Sequence, residues 1–194
     1  MGAKHMERNE IRKRLKKVLD KGRYEHTKGV MYTAASLAMA YEYPIEDAML
    51  AGLLHDCAKC IPNDEKISLC KKNGIAITAV EHESPYLLHA KLGAFLAETK
   101  YDVKNPEILH AIEVHTTGEA DMSLLDKIIY IADYIEPGRD KAPNLAAVRR
   151  LAFQDIDACM AQILDDCLQY NRMRGNSIDA ASQIAYEYYR QFQK

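Results

Sequence analysis

The sequence contains no apolar run approaching the ~20 residues a helix needs to cross a bilayer, so no membrane span is expected. It is also short of net charge. The 26 lysines and arginines against 28 aspartates and glutamates leave −2, which gives no general polyanion-binding surface and disfavours a nucleic acid polymer as partner. A secretory signal is missing, and the five cysteines are an odd number. That combination fits free thiols in a reducing cytoplasm and not a disulfide framework. Strand-type alternation, internal repeats, low-complexity tracts and linkers are absent. A closed thiolate metal site is absent too. Cys57-Ala58-Lys59-Cys60 has CxxC spacing, but no second pair and no βαβ context accompany it, so it reads as packing.

What is present is helical periodicity along nearly the whole chain. With 194 residues, 48% of them hydrophobic, the chain is long enough for one domain with a sizeable core. Residues 1–6, Met1-Gly2-Ala3-Lys4-His5-Met6, read as a remnant of expression with Met6 as the natural start, and residues 7–194 as a single domain. The spacing predicts helices over 7–20, 23–41, 45–58, a short one from Pro62 to Asn73-Gly74, then 85–100, 105–118, 123–135, 155–172 and 179–191. Asn105-Pro106 is a capping residue followed by proline in the first turn, and Gly74 suits a helix end. The first helix has the stripe Ile11, Leu15, Val18, Leu19. Its basic residues Arg12, Lys13, Arg14, Lys16 and Lys17 read as a solvated face. Residues 75–85 are the least regular stretch.

The stretch the rest serves is Leu53-Leu54-His55-Asp56-Cys57-Ala58-Lys59. An imidazole and a carboxylate end the apolar run 48–54, and burying them is costly unless something compensates. A first-row divalent ion does so, because both groups are good ligands for it. Four more polar residues lie on apolar faces of four other helices. His26 sits one turn before Val30 on the stripe Val30, Ala34, Leu37, Ala38. His89 is in line with Leu92, Gly93 and Leu96. His115 follows Ile108 and Ala111, and Asp133 aligns with Leu125 and Ile129. One such residue is usually a satisfied core group; four of them with the His-Asp pair are hard to satisfy without an ion. Helical bundles build metal sites in this way. Imidazoles and carboxylates without thiolate suit iron, manganese, cobalt or zinc in an open, water-bearing site. His82 reads as exposed and His110 as off its stripe and solvated. The eight methionines and twelve tyrosines read as core and surface filler.

The order His26…His55-Asp56…Asp133 resembles the signature of the HD-domain metal-dependent phosphohydrolases. Five blocks in order are similar to the bacterial YqeK family of symmetrical bis(5′-nucleosyl)-tetraphosphatases. They are Arg23-Tyr24-Glu25-His26-Thr27, residues 54–59, Leu88-His89-Ala90-Lys91-Leu92-Gly93-Ala94, His115-Thr116-Thr117-Gly118 and residues 131–139. The likeness runs over about residues 11–180. Cys57 stands where the family pattern has an aromatic residue, and the loop 174–178 matches less closely.

The resemblance implies an all-α, single-domain helical bundle of the HD type. It implies an enzyme that cleaves diadenosine tetraphosphate into two ADP by attack of a metal-bound water on an internal phosphorus. The metal, iron, would be held by His26, His55, Asp56 and Asp133, with Asp56 and Lys59 as catalytic residues. Substrate would be touched by His26, Asp56, Lys59, His89, His115, Thr116, Thr117, Asp133 and Arg139, and by the loop Arg174, Gly175, Asn176, Ser177, Ile178. Arg139 would be a bidentate phosphate donor, and ADP as leaving group needs charge stabilisation more than a strong acid. Two roles stay open for His89 and His115: a second metal site shared with Asp56, or phosphate donors around one tight ion. The expected partner is a dinucleoside polyphosphate or other nucleotide, in the cytoplasm; monomer and homodimer are both open. The alternatives are another HD phosphohydrolase acting on dNTPs, nucleotides or cyclic dinucleotides, a non-catalytic nucleotide-sensing HD module, and a di-iron oxygenase. Lys59 and Arg139, as phosphate-type donors, argue against the last.

Overall fold

The computed structural model describes residues 6–193, and the expectation for residues 1–5 lies outside the described residues. The order of helices is α1 (Arg8–Val18), α2 (Lys21–Ala40), α3 (Ile45–Leu54), α4 (Asn63–Lys72), α5 (Ala79–Glu83), α6 (His89–Tyr101), α7 (Pro106–Val114), α8 (Leu124–Ile135), α9 (Leu145–Leu151), α10 (Ile156–Arg174) and α11 (Ala180–Tyr189). Single 3₁₀ turns at Pro85–Leu88 and Arg190–Phe192 complete it, and no strand occurs among the described residues. The expected all-α class is what the chain adopts.

Local chemistry sets the starts of the helices that matter. Asp20 accepts from Arg23 N to open α2, Asn105 accepts from Glu107 N with Pro106 in the first turn of α7, and Ser123 and Asp126 cap α8 reciprocally. Each such cap is worth about 0.5–2 kcal/mol. Helices α2, α3, α7 and α8 then pack in a ring, with α6 against α7 on one side and α10 against α8 on the other. α2 and α3 meet almost backbone to backbone. A Cβ at Gly52 would lie 3.0 Å from Met31 Cα, so any other residue would need the two helices to ease apart. Buried aliphatic side chains such as Leu37, Leu53, Leu54, Leu92, Ile112 and Leu125 fill the interior. Each contributes about 1.5–3 kcal/mol, which offsets the cost of the polar cluster placed among them.

Several expectations shift. Val18 is 54% exposed, because α1 buries only Ile11 and Leu15, with Leu19 just beyond its end. The irregular stretch 75–85 holds α5, opened by a Thr78–Glu81 capping box. α9 was not foreseen, since its seven residues are too few for a periodic stripe. Most consequentially, the helix expected over 45–58 stops at Leu54. His55 Nδ1 donates to the Gly52 carbonyl at 2.7 Å, the acceptor that Asp56 N–H would use in a continuing helix. Cys57 N turns back to Leu54 O instead.

His110, expected to be solvated, is half-buried and held at both ends. Its Nδ1 is 3.1 Å from Asp126 Oδ2 and its Nε2 is 3.2 Å from Glu119 Oε1. This ties α7 to the start of α8 and to the loop that follows His115. Burial pushes the His110 pKa down, but Asp126 and Glu119 outweigh it and raise it above the ordinary value. A raised folded-state pKa contributes stability that is complete below the unfolded value, about 6.5, and is lost as pH rises through the folded value. The melting-temperature gap between wild type and His110→Gln is therefore expected to be widest near about pH 5.5 and to narrow toward about pH 8.5. A gap independent of pH in thermal melts would show that the histidine's charge plays no part.

Candidate active site

The ring of helices delivers six polar side chains to one point. His26 comes from α2, His55 and Asp56 from the turn after α3, His89 from the first residue of α6, His115 from the residue after α7, and Asp133 from α8. Asp56 is central. Its Oδ2 lies 3.3 Å from His55 Nε2 and 3.7 Å from His26 Nε2, and its Oδ1 lies 3.2 Å from His89 Nε2 and 3.8 Å from His115 Nε2. Asp133 Oδ1 lies 3.0 Å from His26 Nε2 and 3.9 Å from His55 Nε2. His55, Asp56, His89 and His115 are buried.

All four imidazoles have Nδ1 against an oxygen. His26 meets Glu136 Oε1 at 3.1 Å, His55 meets Gly52 O at 2.7 Å, His89 meets Tyr86 O at 2.6 Å and His115 meets Ile112 O at 2.7 Å. Carbonyl and carboxylate oxygens only accept, so Nδ1 carries the proton and Nε2 presents a lone pair inward. His26 Nε2, His55 Nε2 and Asp56 Oδ1 are buried without a hydrogen-bond partner. His89 Nε2 and His115 Nε2 face each other at 3.2 Å. Converging lone pairs and carboxylate oxygens are costly unless a cation lies among them. The residues therefore fit a divalent ion, and histidines fixed through Nδ1 are its usual ligands. His26, His55 and Asp56 form one group able to hold an ion, and Asp56, His89 and His115 another. Asp56 turns one oxygen to each.

Protein cations surround the cluster. Arg23 Nη1 is 2.7 Å from Asp56 Oδ2, and Lys59 Nζ is 3.0 Å from His89 Nε2 and 3.7 Å from Asp56 Oδ1. Arg139 bonds Asp133 twice, Nη2 to Oδ1 at 2.5 Å and Nε to the carbonyl oxygen at 2.9 Å. Burial alone pushes the Asp56 carboxyl up, but its polar and charged neighbours hold it well below the carboxylate range. Asp133 behaves likewise, with burial overcome by its polar neighbours, Arg139 among them. Burial lowers His89 to about 4 and lowers Lys59 from its ordinary value. Charged carboxylates and neutral imidazoles are the forms that bind metal.

Two adjoining cavities form a cleft over the cluster. One, of about 650 Å³, is lined by Arg23, His26, Lys59, Asp133, Arg139 and Lys141. The other, of about 580 Å³, is lined by Tyr86, Thr117, Tyr170, Arg174, Ser177 and Ile178 among others. Thr116, Tyr130, Tyr134, Arg139 and Lys141 border both. One end is thus cationic and the other aromatic. Four of the tyrosines read as filler are cleft walls. Of the loop 174–178, Gly175 and Asn176 line neither cavity. Gly175 ends α10 in the left-handed region and Asn176 bonds to Asn171. His89 also lines neither cavity and backs Asp56 from inside. Arg23, Glu136 and Lys141 were not singled out by the sequence reading. For Arg23 a signal existed, since it precedes His26 by three positions and so shares its helix face.

The HD-domain family matches residues 23–138. The chain is 36% identical over 165 residues to a symmetrical bis(5′-nucleosyl)-tetraphosphatase of Bacillus subtilis, covering 85% of this chain and 88% of that one. It is 35% identical, with 85% and 87% coverage, to a symmetrical bis(5′-nucleosyl)-tetraphosphatase of Halalkalibacterium halodurans. Among solved structures, one from Clostridium acetobutylicum described as a "predicted HD superfamily hydrolase involved in NAD metabolism" superimposes with a TM-score of 0.93. It shares 35% identity, over 97% of this chain and 100% of that one.

Proposed function

The chain belongs to the HD-domain family and, within it, to the symmetrical bis(5′-nucleosyl)-tetraphosphatases, and from that premise we propose how its cluster and cleft work on a dinucleoside tetraphosphate. It is an acid-anhydride phosphohydrolase that cleaves diadenosine tetraphosphate symmetrically into two ADP. The observation that carries the reading is a buried histidine–aspartate cluster beneath a cleft with cations at one end and tyrosines at the other.

His26, His55, Asp56 and Asp133 would hold a divalent ion, iron in the first instance, and Asp56, His89 and His115 would offer a weaker second site. Such an ion lowers the pKa of a coordinated water toward neutrality and polarises a phosphoryl oxygen. The chain's own side chains do the rest. One adenine stacks among Tyr86, Tyr134 and Tyr170, a contact worth about 1–3 kcal/mol per base. With that nucleoside seated, the polyphosphate runs along the border shared by both cavities, past Thr116 and Arg139. Its internal phosphorus then lies over the cluster. Asp56, held charged, would orient the attacking water by accepting a hydrogen bond at Oδ1, which has no hydrogen-bond partner of its own and lies 3.7 Å from Lys59 Nζ. The departing ADP carries the negative charge of the broken anhydride, and Lys59, Arg23 and Lys141 stabilise it in the cationic cavity. Thr116 Oγ1, 3.2 Å from His89 Nε2 and 3.1 Å from His115 Nε2, donates to these lone pairs, and its proton would turn to a phosphate oxygen once a cation takes them.

The working unit is residues 7–194 as one domain, with the cytoplasm as its compartment. Among the described residues no helix is long and apolar enough to cross a membrane, and the five cysteines are free. The test is product analysis by ion-exchange chromatography, with diadenosine tetraphosphate and added iron or manganese. ADP is expected as the only nucleotide product. ATP with AMP would mean asymmetrical cleavage and would overturn the reading.

A further inference from the structure

The geometry points to Glu136 as a positioning residue that fixes both the tautomer of His26 and the turn carrying Arg139. This inference rests on the proposed role of His26 as a metal ligand. Glu136 follows α8 directly and is only 4% exposed. Its two carboxylate oxygens do different things. Oε1 faces His26 Nδ1 at 3.1 Å, and Oε2 accepts from Gly138 N at 2.6 Å. The first contact leaves His26 Nε2 bare toward Asp56 and Asp133. The second stiffens the turn Glu136-Pro137-Gly138-Arg139, which Arg139 N closes on the Glu136 carbonyl at 3.0 Å. Arg149 braces the same turn from outside through the carbonyls of Ile135, Glu136 and Arg139.

The carboxylate sits in a slot built from missing side chains. A Cβ at Gly29, one turn beyond His26 on α2, would lie 2.3 Å from Glu136 Oε2. A Cβ at Gly138 would lie 2.9 Å from Oε1 and 3.1 Å from Oε2. The approaches of 2.3 and 2.9 Å are too short for any other residue without displacing the carboxylate. Two N–H donors, on His26 and on Gly138, converge on one side chain. Only a group that accepts at both oxygens satisfies them; an amide has one acceptor and one donor end. The carboxylate therefore selects the His26 tautomer through a partner that lies outside the ligand set.

Glu136→Gln tests this in the full chain. Its amide oxygen takes the Gly138 N–H and its NH₂ faces His26, which must then accept at Nδ1 and carry its proton on Nε2. Nitrogen NMR of the metal-free protein is expected to show His26 switching from Nδ1–H to Nε2–H. Mn²⁺ affinity, measured by chelator competition, is expected to fall about 10- to 100-fold. Gly29→Ala, which crowds the carboxylate without changing its chemistry, is expected to weaken Mn²⁺ binding in the same direction and carries the test if the glutamine variant does not fold. Mn²⁺ affinity within about twofold of wild type in both variants overturns the inference, taking tenfold as the lower bound for a lost partner. So does lost affinity with an unchanged His26 tautomer, which would signal a disturbed fold. His26→Ala is the control. If it binds Mn²⁺ like wild type, the metal reading fails and this inference with it; if it loses Mn²⁺ while Glu136→Gln does not, only this inference fails.

Discussion

His26→Ala and Asp133→Ala are each expected to empty the tight metal site and to lower kcat/KM for diadenosine tetraphosphate by at least about 10³-fold. His26 Nε2 and Asp133 Oδ1 stand 3.0 Å apart on two different helices of the ring. Removing either leaves the other side chain with its protein partners but opens the ligand set on that side. His89→Ala and His115→Ala are expected to behave differently. They face the other oxygen of Asp56, so the tight ion stays while nucleotide binding and turnover fall. Elemental analysis of the purified variants separates the two groups. Two stoichiometric ions in the parent, falling to one in both His89→Ala and His115→Ala, would show a dinuclear centre bridged by Asp56. That result would overturn the reading of one tight ion with a weaker second site.

Arg139→Lys is expected to lower kcat/KM by about 5- to 150-fold, the equivalent of about 1–3 kcal/mol of transition-state stabilisation, with metal content unchanged. Lysine keeps the charge but loses the fork. Arg139 uses Nε on the Asp133 carbonyl and Nη2 on the Asp133 carboxylate, and so reaches the cleft from an anchored position on the border of both cavities. A lysine ammonium on a flexible stem cannot be held at Asp133 by two bonds and still present a donor to phosphate. An unaltered kcat/KM would place Arg139 outside the reacting site.

The residues most legible in the sequence were those whose function requires them to break a pattern. His26, His89, His115 and Asp133 each interrupt an apolar helix face, and period 3.6 alone placed them inward. The structure buries His89 and His115 completely or nearly so, brings the three histidines to Asp56 and sets Asp133 beside His26. Nine of the eleven described helices, the cap at Asn105 and the five-block order were readable for the same reason, because they are local. Where signals were weak the reading slipped. α9 is too short to show a period, and the Thr78–Glu81 capping box opens a helix of a single turn. The tyrosines Tyr86, Tyr130, Tyr134 and Tyr170 carry no local mark that separates a cleft wall from filler.

What the sequence by itself determined was which faces are apolar and which polar residues interrupt them, since hydrophobic patterning is written in neighbours three and four positions apart. Tertiary structure alone decided which faces meet and what each polar atom bonds. The end of α3 at Leu54 depends on the burial of His55, whose ring then takes a helix carbonyl. The seat of Glu136 depends on glycines at positions 29 and 138 coming together across α2 and the turn after α8. His26 and Glu136 are 110 positions apart. No periodicity spans that distance, because the contact exists only once the intervening helices have packed.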